Sequence, residues 1–281
     1  MATSSQFERF SMVLKPQVRV VFSDVDGTLV GADHHPLPAS AATLQCVSRR
    51  VPICLVSARS PEGLYPIQQQ LGFDGPLACY SGAYVLDADG TELLSETFDA
   101  ETADDVKRSI QELYPTTTIG AYGFHDWIVD DRNDPRIQRE EFLVQAQSRN
   151  CSDLLAAFGS SGLHKLLVMG EPDQIKEIQR HYSARCPDLN VVRSSATLCE
   201  MMSKAASKSR AVRVICGHYG VDLADAVAFG DGPNDLDMLE TVGTSYAMAN
   251  AEDVVKQAAT HVLPWTNVES GVSRMLHELL P

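Results

Sequence analysis

Val18-Arg19-Val20-Val21-Phe22-Ser23-Asp24-Val25-Asp26-Gly27-Thr28-Leu29 is a β-branched, apolar run that ends in two carboxylates and a glycine. A near-continuous apolar run suits a parallel strand buried on both faces, and the acidic residues after it suit a loop. In open α/β sheets ligands bind beyond the carboxyl ends of the strands, so Asp24 and Asp26 are expected to project into a site. Gly27 lets the chain turn sharply away.

The segments that follow repeat the theme. Residues 38–50 read as a helix with Leu44 and Val47 inward, 51–56 as a second buried strand, and 61–71 as a helix stopped by Gly72. The pattern returns near the other end: a helix over 208–219, a short strand over 226–229 and a helix from 235 to 241. Strands alternating with helices predict an α/β fold, with a parallel sheet covered on both faces. Between the two ends, 83–98 resembles a hairpin turning at Asp89-Gly90. Residues 99–114 read as an amphipathic helix carrying Val106, Ile110 and Leu113 inward. Residues 119–129, 164–169 and 191–202 read as strands, with 172–185 as a helix. The expectation is a core built from 1–98 and 203–281, with an inserted α+β unit at 99–202.

Composition narrows the partners. The chain has 281 residues, 44% hydrophobic and 21% charged, enough for one large domain or two smaller ones. A formal net charge of -14 with no basic cluster argues against nucleic acid and against an anionic membrane surface. A small phosphorylated substrate stays open, because one metal ion and one or two cationic side chains reverse the field locally. Seven scattered cysteines without a C-x-x-C pair speak against a disulfide framework and a zinc knuckle. The apolar stretch at 10–14 is too short for a signal peptide, and no run is long enough to span a bilayer. A cytoplasmic protein, monomeric or a small homo-oligomer, is expected.

Chemistry concentrates in four places. In Asp24-Val25-Asp26 the first acid suits a nucleophile and metal ligand, and the second suits a group that protonates a leaving oxygen and later deprotonates water. Taken alone, the same residues form an ordinary acidic turn. Ser57-Ala58-Arg59, after the second strand, offers a hydroxyl and backbone N–H groups to phosphate oxygens, although taken alone it reads first as a helix cap at Ser57 or Ser60. Lys208, after Ser207, can neutralise charge shared by Asp24 and a phosphoryl group. Gly230-Asp231-Gly232-Pro233-Asn234-Asp235 follows a short strand and adds oxygen ligands. Mg²⁺, which keeps several waters, then needs only two carboxylates and one carbonyl.

With these four motifs in this order, the chain resembles a haloacid dehalogenase-like phosphatase of the Cof-type branch over nearly its whole length. The resemblance implies a Rossmann-like parallel-sheet core, an inserted α+β cap that selects the substrate, and Mg²⁺ as cofactor. It implies Asp24 as nucleophile, Asp26 as acid/base that also lends its backbone carbonyl to the metal, and Lys208 as the neutralising cation. Ser57 would bind phosphate, with Ala58, Arg59, Gly27, Thr28 and Asn234 around it, and Asp231 and Asp235 would complete the metal site. Three positions depart from the family pattern: Ser57-Ala58-Arg59 replaces Thr-Gly-Arg, Ser81 replaces Asn, and Ser209 replaces the glycine after the lysine, which keeps Lys204 as an alternative to Lys208. Asp26 also separates the chain from ion-pump ATPases of the same superfamily, which carry threonine there.

The expected reaction is hydrolysis of a small phosphorylated metabolite through an aspartyl phosphate, with sugar phosphates ahead of pyridoxal or nucleotide phosphates. A phosphomutase and a non-catalytic phosphometabolite-binding regulator are the alternatives within the fold. A dinucleotide-dependent oxidoreductase is the rival from outside it, since the 230–235 loop approaches G-x-G-x-x-G. Asp235 occupies the third glycine position, and two carboxylates would repel a pyrophosphate. His34-His35 reads as a solvated loop pair, and Tyr122, Phe124 and Trp127 read first as sheet packing. Arg59, Lys165 and Arg193 are candidates for contacts beyond the phosphate.

Overall fold

A computed structural model describes residues 17–31 and 33–281, so the apolar stretch at 10–14 lies outside the described residues. The chain starts with β1 (Val20–Ser23), α1 (Pro38–Ser48), β2 (Ile53–Val56), α2 (Pro61–Leu71), β3 (Leu77–Cys79), β4 (Tyr84–Leu86) and β5 (Glu92–Ser95). Every residue of β1 and β2 is buried, as a strand covered on both faces requires. α2 has its start and stop written locally: Ser60 accepts from the Gly63 N–H, Pro61 opens the helix, and Gly72 closes it in the left-handed conformation.

The middle of the chain forms α3 (Ala100–Leu113), β6 (Thr118–Gly123), β7 (Asp126–Val129), α4 (Pro135–Val144), β8 (Arg149–Asn150), α5 (Leu154–Phe158), β9 (Lys165–Met169), α6 (Pro172–Arg185), β10 (Leu189–Arg193) and β11 (Leu198–Ser203). The last part returns to the first sheet with α7 (Lys208–Tyr219), β12 (Ala226–Gly230), α8 (Leu236–Thr241), β13 (Thr244–Ala247), α9 (Asp253–Ala258), β14 (His261–Val262) and α10 (Gly271–Leu279).

Among the described residues the first sheet runs β14-β13-β12-β1-β2-β3-β4-β5 and the second β10-β11-β9-β6-β7-β8. The first is parallel from β14 to β3 and antiparallel at β4 and β5. The two distant parts of the chain meet at its centre, where Val20 pairs with Ala226 and Ser23 with Phe229. The strand order reverses direction at β1. That crevice, at the carboxyl ends of β1, β2 and β12, is where a doubly wound sheet leaves room for a ligand. Two apolar clusters form: one around Phe22, Leu55 and Phe229 that continues onto one face of the second sheet through Tyr122, Trp127 and Leu167, and one around Ile110, Val168 and Tyr182 on that sheet's other face.

Several expectations need correction. Residues 119–129 are two antiparallel strands, β6 and β7, turning at Phe124-His125 with Phe124 at φ 55. No Gly, Asn or Asp marks the tip of that turn, so the sequence signal is missing. Residues 191–202 are likewise the hairpin β10–β11, with the small polar segment Ser194-Ser195-Ala196-Thr197 as its turn. α4 and α5 were not anticipated; α4 buries only Ile137 fully and lacks the apolar stripe that periodicity detects. Leu113, expected inward, is 55% exposed as the last residue of α3.

Candidate active site

The site begins with backbone register. Asp24 follows β1 and donates its N–H to the Phe229 carbonyl at 3.0 Å, which ties the first acidic loop to the strand that delivers Asp231. Gly27 sits at φ +86, and a Cβ there would lie 2.2 Å from Asp231 Oδ2, so only glycine lets the two loops approach. Thr28 Oγ1 donates to Asp231 Oδ1 at 2.9 Å and fixes that carboxylate. Asp235 Oδ2 accepts from the N–H groups of Asp231 and Gly232, both at 3.0 Å, and shapes the 230–235 loop from inside. One carboxylate oxygen each from Asp24, Asp231 and Asp235 falls within 4.8 Å of the others.

Lys208 stands among these acids with its side chain 1% exposed, Nζ 2.7 Å from Asp24 Oδ1 and 2.6 Å from Asp235 Oδ1. It is placed by the first turn of α7, whose cap Ser207 accepts from the Arg210 N–H. Gly82 presses on that turn: a Cβ there would lie 2.2 Å from the Ser207 carbonyl. Ser209, in the family's glycine position, is built in, its N–H donating to Asp237 Oδ2 at 2.9 Å. Lys204 is exposed, and its N–H donates to the Asp188 carbonyl at 3.0 Å.

Electrostatics follow from this crowding. Burial, reinforced by Asp235, pushes Asp24 well above the usual carboxylate range against the pull of Lys208. Burial and Asp235 push Asp231 up to about 6, against the hydrogen bond from Thr28. Burial would discharge Lys208, but Asp235 and Asp24 hold its pKa above the ordinary value.

Asp26 points elsewhere. Arg59 grips it through Nε to Oδ2 at 2.9 Å and Nη2 to Oδ1 at 2.6 Å, and His34 Nδ1 lies 3.0 Å from Oδ1. Burial would raise Asp26, but these hydrogen bonds and the guanidinium charge hold it far below the usual range. The solvated reading of His34 is therefore corrected: the residue belongs to the site, and its φ of 61 marks the turn that brings it there. No motif spacing announces it. Ser57 is buried, its Oγ accepting from the Arg59 N–H at 3.2 Å, and its carbonyl accepts from Ser81 N at 2.8 Å. Asn234 is exposed within the 230–235 loop. Asn250, unremarked in sequence, donates from Nδ2 to the Gly27 carbonyl at 2.8 Å and steadies the first loop.

A cavity of about 580 Å³ adjoins this loop, bounded by Asp26, His34 and Arg59 on one side and by Tyr122, Glu140, Lys165 and Glu200 from the second sheet and its helices on the other. Lys165 reaches across it, Nζ donating to the Ala58 carbonyl at 2.8 Å and lying 3.7 Å from Glu200 Oε2 and 4.8 Å from the Tyr122 ring centroid. Tyr122 also stacks on Trp127 at 4.9 Å, so it serves packing and lining at once. Phe124 packs edge-on against Tyr84 at 5.6 Å, part of the aromatic seam between the two sheets. Arg193 is exposed and binds Gln179, apart from the cavity lining.

The profile of a family described as haloacid dehalogenase-like hydrolase matches residues 21–276. A protein of Haemophilus influenzae is similar at 32% identity over 273 residues, covering 94% of this chain and 98% of its own. An HMP-PP phosphatase of Serratia proteamaculans is 28% identical over 240 residues, 83% of this chain and 84% of its own. Among solved structures, a haloacid dehalogenase-like hydrolase from Bacteroides thetaiotaomicron superposes with a TM-score of 0.86 at 23% identity, covering 94% of this chain and 100% of its own.

Proposed function

Because the chain belongs to the haloacid dehalogenase-like hydrolases, of the Cof type, and is a phosphatase of that family, we propose that it hydrolyses a small phosphorylated metabolite by passing the phosphoryl group through Asp24. The observation that carries this reading is the meeting of Asp24, Asp231 and Asp235 within 4.8 Å, with the Lys208 ammonium between two of them.

The donor set fits a divalent cation. Three carboxylates against one ammonium leave uncompensated negative charge, and the hard oxygen ligands suit Mg²⁺. Asp24 and Asp231 would hold it, with the Asp26 carbonyl, while Asp235 is already occupied by Lys208 and by two backbone N–H groups. When bound, the ion supplies positive charge opposite the phosphoryl oxygens.

The chain's own groups divide the remaining work. Lys208 orients the Asp24 carboxylate through Oδ1 and offsets charge as an oxygen of Asp24 attacks phosphorus in line. The Ser57 hydroxyl, with its oxygen lone pair engaged by Arg59 N–H, keeps its proton free for a phosphoryl oxygen. Asp26 gives a proton to the departing ester oxygen and takes one from the water that opens the aspartyl phosphate. Its contact with Arg59 and His34 favours the ionised form that the second step needs, and protonation for the first step accompanies transfer of Arg59 from Asp26 toward the phosphoryl group.

We read 99–202 as the cap over this site, on the strength of the cavity shared between the two sheets. A sugar phosphate is the first substrate candidate, since the cavity has room for a hexose and polar side chains such as Arg136, Ser194 and Thr197 stand in its lining. The free state of all seven cysteines supports a reducing, cytoplasmic setting, and no described helix is long and apolar enough to cross a membrane.

A phosphate-release screen over phosphorylated metabolites at fixed Mg²⁺, with Asp24→Asn as blank, tests the proposal. Turnover is expected to require Asp24 and to fall by at least a thousandfold in the variant. Near-normal release by Asp24→Asn removes the mechanism.

A further inference from the structure

The cations lining the cavity are nearly all engaged. Arg59 holds Asp26 through Nε and Nη2, and Lys165 is engaged by the Ala58 carbonyl and Glu200. Arg136 donates to Asp134 and to the Thr116 carbonyl. Arg139 is exposed, where solvent and salt screen its charge. Glu140 is the reverse case: a half-buried carboxylate in the cavity wall that makes no hydrogen bond or ion pair among the described residues.

Its position is fixed from the core side. The Val144 carbonyl, at the end of α4, sits 3.2 Å from where a Cβ on Gly63 would be, so α4 rests on the first turn of α2. Gln145, just past the helix, binds Gln70 and His35 at 3.1 and 3.2 Å. This seat brings Glu140 into the field of Lys165, Glu200, Arg59 and His34, while burial raises its pKa. Glu140 is thus a half-buried acceptor without a partner among the described residues in a cavity wall, and a guest that brings a hydrogen-bond donor into that space completes it.

We propose that Glu140 is a specificity-determining residue that accepts a hydrogen bond from the leaving group, so that the enzyme takes phosphate monoesters bearing hydroxyl or amino donors and rejects those carrying a second anionic group. This rests on the phosphatase reading above. Glu140 with Glu200 places two carboxylates beside the one Lys165 ammonium, so a second phosphate or a carboxylate on the leaving group meets net repulsion there, whereas a hydroxyl or amine completes the Glu140 carboxylate.

The test compares glucitol 6-phosphate with 6-phosphogluconate, which differ by an alcohol against a carboxylate, and uses p-nitrophenyl phosphate as a reference ester without donors on its leaving group. Steady-state kinetics at fixed Mg²⁺, or inhibition constants against p-nitrophenyl phosphate where turnover is slow, are read for the wild type, Glu140→Gln and Glu140→Ala. The wild type is expected to favour the alcohol at least tenfold over the carboxylate. Glu140→Gln, which keeps an acceptor but loses the charge, should bring that ratio close to one. Glu140→Ala should also lower the ratio of glucitol 6-phosphate to p-nitrophenyl phosphate about tenfold, chiefly through KM. Equal acceptance of both esters by the wild type, or unchanged ratios in both variants, overturns the assignment while Asp24-dependent hydrolysis of p-nitrophenyl phosphate still stands. Absence of that hydrolysis overturns both.

Discussion

Asp26 and Arg59 meet in a two-point contact, Nη2 to Oδ1 at 2.6 Å and Nε to Oδ2 at 2.9 Å, that links the loop after β1 to the loop after β2. The fork of the guanidinium matches the carboxylate, and the pair fixes the side chain proposed to move protons.

Arg59→Ala should release Asp26 toward the ordinary carboxylate range, because Arg59 and His34 together hold it below that range. The sign follows: a depressed carboxyl ionises early, so removing the cation moves the acidic limb of the pH–rate profile to higher pH. Turnover should also fall about 10- to 100-fold from loss of the unpaired Nη1 donor toward the phosphoryl group. An acidic limb that stays in place contradicts the linkage.

Lys208→Met leaves Asp24 and Asp235 facing each other without the ammonium that now lies 2.7 and 2.6 Å from them. Breaking a buried ion pair from one side costs about 3–5 kcal/mol. Urea denaturation should show that loss at neutral pH, with part of it recovered in acid, where the abandoned carboxylates protonate. Full stability at neutral pH would mean that the charges find another partner.

Asp231 carries a stability signature of its own. Its pKa in the fold, about 6, lies above the ordinary 3.8, so the folded state holds the proton longer. The associated stability is fully present below about pH 4 and is lost as pH rises through about 6. Asp24 is shifted in the same direction and adds to the trend. Thermal denaturation in EDTA should show this decline across the window, and Mg²⁺ should flatten it by favouring the ionised carboxylates. Identical profiles with and without the ion argue against a metal at the cluster.

Gly82→Ala tests the backbone contact that seats the first turn of α7. With φ at +91 and a Cβ 2.2 Å from the Ser207 carbonyl, the substitution must displace the start of α7. A stability loss of about 1–3 kcal/mol is expected. Because Lys208 is the next residue, kcat should fall more than KM rises. Loss of stability without a kinetic effect would separate α7 placement from the chemistry.

The acidic loops were legible because their chemistry is local: an apolar strand ending in Asp24-Val25-Asp26-Gly27-Thr28, and a second short strand ending in Gly230-Asp231, place carboxylates at strand ends through the alternation of strand and helix. The helix of residues 61–71 was equally plain, since Ser60, Pro61 and Gly72 write both ends into the chain. His34 gave no such signal. It is eight residues from Asp26, and only the turn through its left-handed backbone brings the ring to the carboxylate.

The sequence by itself determined that buried parallel strands would deliver acids, a hydroxyl and a lysine to loops, because strand burial and helix caps depend on neighbours in the chain. Tertiary structure alone decided what those groups touch. Lys208 is 184 residues from Asp24, Lys165 is 107 from Ala58, and α4 has too little apolar surface to announce the wall it forms. Such contacts are set by sheet order, by the pressure of Gly27 and Gly82 against distant backbone and side chains, and by the seat of α4 on α2. A one-dimensional pattern does not encode distances between segments that meet only after folding.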